Sequence, residues 1–243
     1  MDDKRPFTLT PAAKEKLTRV STATLTSVLI GHGFSNTFLT GVRPLRPDLR
    51  MVGYAVTLRF VPGREDMVAK TAVLSQNPQR LAIEAVGPED VLVAEARGEL
   101  RSAVIGDILA WRMKVLGAAG FVTDGALRDT PGCAEIDMPI YLQAPQATRS
   151  NVWHHPADMN VPIGCAGVLI MPGDVIVGDG EGVVAIPAQV AEDVAHAAYE
   201  QELREAFVLE LVKAGASTLD VYPPKGETLT AFAAWRERQE SNQ

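Results

Sequence analysis

The chain has 243 residues, 47% of them apolar and 22% charged, with a net charge of −7. This composition is ordinary for a globular chain able to bury a sizeable core, and its acidic balance gives no general electrostatic reason to bind nucleic acid or an anionic membrane. No stretch approaches the ~18 unbroken apolar residues of a membrane span, and the opening MDDKRPFTLTPAAKEK lacks the apolar run of a signal peptide, so a cytoplasmic protein with small-molecule or protein partners is expected.

Thr10 followed by Pro11 is an N-cap signal, and the apolar positions after it allow one or two helices ending near Gly31 or Gly33. The run MVGYAVTLRFV, residues 51–61, has the β-branched and aromatic content of a strand, and PGRED punctuates it. A helix is predicted from Asp66 to Ala85. EDVLVAEA reads as a short buried strand from about Asp90, and GELRSAVI leads into a helix that starts near Asp107 and ends between Gly117 and Gly120. GFVTDG is then a strand running into a turn, and the order strand, helix, strand predicts α/β packing. MPIYLQA and GVLIMPGDVIVGDGEGVVAIP supply several further short strands. From Pro187 to about Ala214 the pattern is a long amphipathic helix, after which the chain reads as a polar tail. The expected organisation is one domain over 1–243, with a helical segment at about 10–33 and the long helix plus tail at about 188–243.

Several candidate motifs resolve into ordinary structure. GAAG lacks the strand-to-helix G-x-G-x-x-G spacing of a dinucleotide site, and GDGEG, residues 178–182, reads as a hairpin turn. There is no G-x-S-x-G nucleophile elbow. Cys133 and Cys165 form no C-x-x-C pair, in keeping with a reducing compartment. In WHHPAD, His154 and His155 would point to opposite faces of an extended segment and could not both grip one ion. One of them lines a pocket, with Asp158 nearby, or the two form a loop pair beside Trp153. Lys114, the nearest candidate for a Schiff base, lies along a helix and should face solvent.

The strongest constellation spans residues 106–130. A helix beginning at Gly106 presents Asp107 and unpaired backbone N–H groups in its first turn, a natural place for an anion or an ordered metal-water shell. The following strand runs back antiparallel to that helix, so Arg128 and Asp129 return to the same end of the layer as Asp107. Charges far apart in sequence should frame one cleft.

Asp107, then twenty residues, then Arg128-Asp129 resembles the D-x20-R-D signature of the metal-dependent 4-hydroxy-4-methyl-2-oxoglutarate/4-carboxy-4-hydroxy-2-oxoadipate aldolases, which share a fold with the RraA-like regulators of ribonuclease activity. GAAGFVTDGALRD and VPIGCAGVLIMPGDVIVGDGEGVVAIP are similar to the same superfamily, over about residues 17–220. The resemblance implies an α/β fold, a β/β/α sandwich of the RraA-like, phosphohistidine-swivelling-domain-like type with N- and C-terminal helices, assembled as homotrimers or homohexamers with sites between subunits. It implies Mg2+ or Mn2+ on Asp129, Arg128 holding the substrate carboxylate or keto oxygen, and Asp107 ordering the metal's water. The backbone of Gly106, Asp107 and Ile108 would contact the pyruvyl carboxylate. Glu205 is similar to an acid supplied across the subunit interface, with Glu200 and Glu202 as rivals. The implied activity is cleavage of a 4-hydroxy-2-oxo acid to pyruvate and a second carbonyl product, with oxaloacetate decarboxylation alongside. Two alternatives are a non-catalytic ribonuclease regulator, a class that lacks the acid after the arginine, and a quinone methyltransferase, which the missing nucleotide fingerprint disfavours. Residues 63–85 and WHHPAD depart from the compact aldolases and are expected to reshape the substrate pocket.

Overall fold

The computed structural model describes residues 7–68 and 73–240. The Thr10 signal opens two helices rather than one: α1 (Pro11–Leu17), whose Ala13 N–H donates to the Thr10 hydroxyl, and α2 (Thr22–Gly31), capped in the same way by Ser21. A short edge strand, β1 (Arg43–Pro44), precedes the twelve-residue β2 (Met51–Pro62).

The single helix expected from Asp66 to Ala85 is not continuous. It is replaced by α3 (Glu65–Val68), a 3-10 turn at Leu74–Gln76 and α4 (Pro78–Ala85), and the part of that expectation covering residues 69–72 lies outside the described residues. The break at Asn77 has a steric cause. Pro78 disfavours helical backbone in the residue before it, and Asn77 stays extended while its Oδ1 accepts from the N–H groups of Gln79 and Arg80.

The next stretch repeats one device three times. β3 (Asp90–Glu95) leads to β4 (Ala103–Ile105) and α5 (Asp107–Val115). β5 (Gly120–Thr123) leads to β6 (Ala126–Leu127) and α6 (Thr130–Ala134), and β7 (Ile140–Leu142) to β8 (Ala144–Pro145). The first strand of each pair belongs to a large sheet and the second to a small parallel sheet ordered β4-β6-β8. Gly125 sits at the middle handover, where a Cβ would lie 2.5 Å from the Ala96 Cβ and 2.9 Å from a Val104 methyl. The buried Asp124 carboxylate holds this crossing together by accepting from Ala96 N at 2.5 Å, Ala166 N at 3.1 Å and Gly98 N at 3.2 Å.

Five more strands complete the β structure: β9 (His154–Met159), β10 (Ile163–Cys165), β11 (Val168–Ile170), β12 (Val175–Gly178) and β13 (Val183–Ile186). The large sheet runs β1-β7-β5-β3-β2-β12-β13. β2 is long enough to pair with β12 near its start and β9 near its end along one edge, while β3 runs parallel along the other. β10 and β11 form a separate hairpin, and residues 179–182 make the predicted turn between β12 and β13.

Apolar burial follows these layers. Leu58, Phe60, Leu92 and Phe121 pack with Ile83 of α4 and Ala110 and Met113 of α5. Val175, Val177, Val184 and Ile186 pack with Leu17, Leu25 and Leu29 of the opening helices and with Val194, Ala195 and Ala198 of α7 (Ala191–Lys213). Side chains of α7 also reach back to the start of the chain. Glu192 accepts from Thr10 N at 3.1 Å and its Oγ1 at 2.5 Å, and Glu202 accepts from Ser21 N and Oγ, both at 3.2 Å.

The expected polar tail is instead folded. α8 (Thr218–Val221) and α9 (Glu227–Glu240) follow α7, and α9 folds back so that Phe232 and Trp235 pack with tilted rings against Phe207, their ring centroids 5.9 and 5.7 Å away. Trp235 Nε1 donates to Glu210 at 2.9 Å and Arg236 pairs with Glu200 at 2.7 Å. The charged residues that suggest a solvated tail are one face of an amphipathic helix. No helix among the described residues is long and apolar enough to cross a membrane.

Candidate active site

The three strands of the small sheet are parallel, so the segments leaving their C-terminal ends emerge side by side. Gly106 and α5 follow β4, Arg128-Asp129 follow β6, and residues 149–151 lie just beyond β8. Arg128 N–H donates to Ile105 O at 3.0 Å, Gln146 N–H to Leu127 O at 2.9 Å and Ala103 N–H to Thr148 O at 2.9 Å, so the three exits are stitched to one another. The crevice beyond the carboxyl ends of parallel strands is where α/β folds place ligands. Here it is a cavity of about 360 Å³ lined by Gly106, Asp107, Ile108, Arg128 and Asp129, with Gln79 and Arg80 of α4 and Arg149 to Asn151 completing its wall.

Asp129 occupies the left-handed region, φ 55° and ψ 36°, uncommon for a residue with a Cβ. It stands at the N-cap position of α6 but makes no side-chain capping bond. Its carboxylate instead accepts from Arg128 Nε at 2.9 Å through Oδ2. Gly106 is needed for this pairing, because a Cβ there would lie 2.5 Å from Asp129 Oδ2 and 2.9 Å from Arg128 Cγ. Asp107 sits opposite, with its Oδ2 3.1 Å from where a Cβ of Gly132 would be and its Oδ1 accepting from Ile108 N–H at 2.7 Å. The Ile108 amide is therefore occupied by the neighbouring carboxylate rather than open to a ligand.

Both carboxylates bear on Cys133. Burial pushes its thiol up to about 12, and Asp107 and Asp129 add to the rise. A buried thiol held protonated is no nucleophile, and its Sγ donates weakly to Arg128 O at 3.6 Å. Lys114 is partly exposed and reaches Asp137, not the cavity.

Asp129 Oδ1 and Asp107 Oδ2 have no hydrogen-bond partner among the described residues, where no group of three or more His, Cys, Asp or Glu side chains is gathered to hold a metal. Two carboxylates with oxygen donors only, at an open cavity, fit a hard divalent cation that keeps several waters and takes substrate oxygens as further ligands. They do not fit zinc, which favours nitrogen and sulfur donors.

The remaining candidates fall elsewhere. His154 and His155 are in strand β9, not a loop, and neither lines the cavity. His154 is buried, its Nε2 within 3.0 Å of Ser102 O and its ring 5.4 Å from Phe60. Asp158 pairs with Arg59. Among the three candidate acids of α7, Glu200 and Glu202 are engaged in tying elements together, whereas Glu205 accepts only from Gln201, one turn earlier, at 2.8 Å. None of the three lines this chain's cavity. Sequence reasoning did not single out Gln79, Arg80 or Arg149. No local pattern marks them, although residues 63–85 were expected to reshape the pocket and do contribute two of its lining residues, Gln79 and Arg80.

Comparison with known proteins identifies the family. The profile described as RraA-like, Aldolase/RraA, matches residues 22–185. A Halalkalibacterium halodurans protein, named provisionally as a 4-hydroxy-4-methyl-2-oxoglutarate aldolase, is 34% identical over 177 residues, 71% of this chain and 79% of the relative. Among solved structures, Streptomyces coelicolor RraAS2, described as an unusual member of the RNase ES inhibitor RraA family, superposes with a TM-score of 0.73 at 33% identity over 82% of this chain and 98% of that one. An uncharacterized Pseudomonas syringae pv. tomato protein gives 0.74 at 25% identity, over 86% of this chain and 96% of its own. With a fold of mixed α/β layers flanked by terminal helices and a family match over most of its length, the chain belongs to the RraA-like Aldolase/RraA family.

Proposed function

We propose that this chain is a divalent-metal-dependent lyase that cleaves a 4-hydroxy-2-oxo acid into pyruvate and a second carbonyl product. The observation that carries the reading is the convergence of Asp107, Arg128 and Asp129 on one cavity beyond the small sheet. Asp129, with Asp107 beside it, would hold Mg2+ or Mn2+, which when bound supplies Lewis acidity at the 2-oxo group.

The chain's own residues supply the rest. Arg128 donates to the substrate carboxylate and keto oxygen and stabilises the negative charge that grows there, an electrostatic contribution typically worth on the order of 100- to 1000-fold in rate. Asp107, through the oxygen not held by Ile108, orders a water that takes the C4 hydroxyl proton. The C3–C4 electron pair then collapses toward C3, the carbonyl product leaves, and the pyruvate enolate is protonated at C3. Loss of carbon dioxide from oxaloacetate yields the same enolate, so decarboxylation accompanies aldol cleavage.

Assembly into a homotrimer or homohexamer is part of the proposal. Its support is the outer face of α5, where Ile108, Trp111 and Val115 recur at helical spacing and stay exposed, Ile108 at the cavity mouth. Glu205, the one of the three rival acids not committed to tying two elements together, is the proposed contribution to a neighbouring site.

The test is a coupled pyruvate-release assay over linear and branched 4-hydroxy-2-oxo acids, and over oxaloacetate, with Mg2+ or Mn2+ and with EDTA. Release that requires metal supports the reading; no release from any of these acids with metal present removes it. The 33% identity to a member of an RNase inhibitor family favours a second reading, a regulator acting through protein binding. Inhibition of a ribonuclease by the metal-free protein, without lyase activity, would select it.

A further inference from the structure

Gln79 brings to the cavity an amide of which the fold uses only one half. It stands in the first turn of α4, 7% exposed, and lines the cavity together with Ala103 to Gly106. Chemistry fixes which way the amide lies. The Val104 carbonyl can only accept, so the side-chain nitrogen faces it, and Nε2 donates to Val104 O at 2.6 Å. Asn77 Oδ1 meanwhile accepts from Gln79 N at 3.0 Å, so backbone and amide are both held in place.

The amide oxygen is left over. Among the described residues, the polar side-chain atoms both sealed from solvent and without a partner are Arg59 Nε and His154 Nδ1. Gln79 Oε1 accepts from none of the described residues either, so it keeps an opening, and the space that Gln79 lines is the cavity. Ser150 and Asn151, beyond β8, line the same space, and their side chains also have no hydrogen-bond partner among the described residues. Beside its charged groups, the cavity therefore presents neutral groups in need of partners. A hydroxyl, which both donates and accepts, satisfies them, whereas a hydrocarbon tail would strip them of water and leave them unpaired. Val104 lies two residues before Gly106, ~7 Å back along an extended strand, so Gln79 stands off from the end where Arg128 meets Asp129.

We propose that Gln79 determines specificity by accepting a hydrogen bond from a substrate hydroxyl beyond C4, so that the preferred substrates are 4-hydroxy-2-oxo acids with a further hydroxyl, as in deoxy sugar acids. This rests on the reading of the cavity as a 2-oxo acid site. The amide nitrogen, committed to Val104, cannot turn to serve an acceptor on the substrate, so Gln79 selects for a donor.

The experiment compares kcat/KM for pyruvate release from 4-hydroxy-2-oxopentanoate and from its 5-hydroxy and 5-methoxy derivatives, in the parent and in Gln79→Met. The methoxy group has bulk and an acceptor but no proton to donate, so it isolates the O–H. Calorimetry with Mg2+ on 2-oxopentanoate and 5-hydroxy-2-oxopentanoate reads the same preference without turnover. The expected result is a preference on the order of tenfold or more for the hydroxyl tail over the other two, lost in Gln79→Met. Equal values for hydroxyl and methoxy tails in the parent overturn the assignment. So does a Gln79→Met protein that handles all three tails worse by the same factor, which is what a merely structural anchor of β4 would give. If Gln79→Met fails to fold, Gln79→Asn takes its place, a neutral amide one methylene too short to reach both Val104 O and the cavity. A hydroxyl preference in calorimetry that depends on Gln79, in a protein that cleaves none of these acids, would sink the lyase reading and leave this assignment standing; cleavage indifferent to the tail would do the reverse.

Discussion

Arg128 and Asp129 are bonded to each other, Nε to Oδ2 at 2.9 Å, although they are adjacent in sequence and both face the cavity. The left-handed backbone at Asp129 turns its carboxylate back toward the preceding side chain, and a non-glycine residue held there costs on the order of 1 kcal/mol. The motif's cation and anion thus orient each other before substrate arrives. Asp129→Asn keeps an oxygen acceptor for Arg128 while removing the charge, and Arg128→Lys keeps the charge while removing the planar fork. Each should lower kcat/KM for pyruvate release on the order of 100-fold or more with little change in melting temperature, and Asp129→Asn should also weaken Mg2+ binding measured by calorimetry. Full activity in a folded Asp129→Asn protein would strip Asp129 of its role.

Gly106→Ala tests the same pair from the opposite side. The added methyl would meet Asp129 Oδ2 at 2.5 Å, and a carboxylate end can swing where backbone could not. The variant should therefore fold, with activity falling at least about tenfold because the displaced carboxylate misplaces what it holds. Unchanged kinetics would show that the position of Asp129 does not matter to turnover.

The outer face of α5 predicts an effect on assembly. Ile108 is 80% exposed and Val115 72%, while Ala110 and Met113 on the other side of the same helix are fully buried. Apolar residues at helical spacing on both sides of a helix suit one that packs against two layers. Val115→Glu should shift the mass measured by light scattering to a smaller species, with loss of pyruvate release if sites depend on neighbouring subunits. An identical mass for variant and parent would remove α5 from the interface.

The buried His154 makes stability fall on the acid side. Burial is the main cause that depresses its folded-state pKa, with Arg97 adding to the effect and the Ser102 carbonyl bond opposing it. The unfolded chain takes up a proton on this ring below about pH 6.5, whereas the folded protein resists protonation until a lower pH, so stability declines from about 6.5 down to the folded value and then levels off. His154→Gln retains a donor for Ser102 O. Its melting temperature should start lower at neutral pH, having lost the ring against Phe60, and fall less between about pH 7.5 and 5.5. Parallel pH profiles for the two proteins would refute the assignment.

Much of this architecture was legible because the signals are local. Thr10-Pro11 marks a helix start, the β-branched and aromatic run at 51–61 marks β2, and the strand-helix-strand order around Asp107 brings Arg128 back to the start of α5. Two errors had readable causes. Asn77-Pro78 is a cap-and-break signal inside the helix expected at 66–85, and Leu229, Phe232 and Trp235 recur at helical spacing inside the expected tail. The arginines that line the cavity beside Arg128 were not legible. Arg80 and Arg149 lie 69 positions apart, and only the packing of α4 and the exit of β8 against β4 brings them to one cavity.

The acids of α7 that meet Thr10 and Ser21 lie 182 and 181 positions downstream of them. As the chain leaves the ribosome, α1 and α2 emerge before α7 and stay without these partners until the segment between has followed. Short helices on their own are marginal in water, so their consolidation is tied to an element made well after them. Shortening the chain before α7 would therefore unfasten α1 and α2 as well as remove α7.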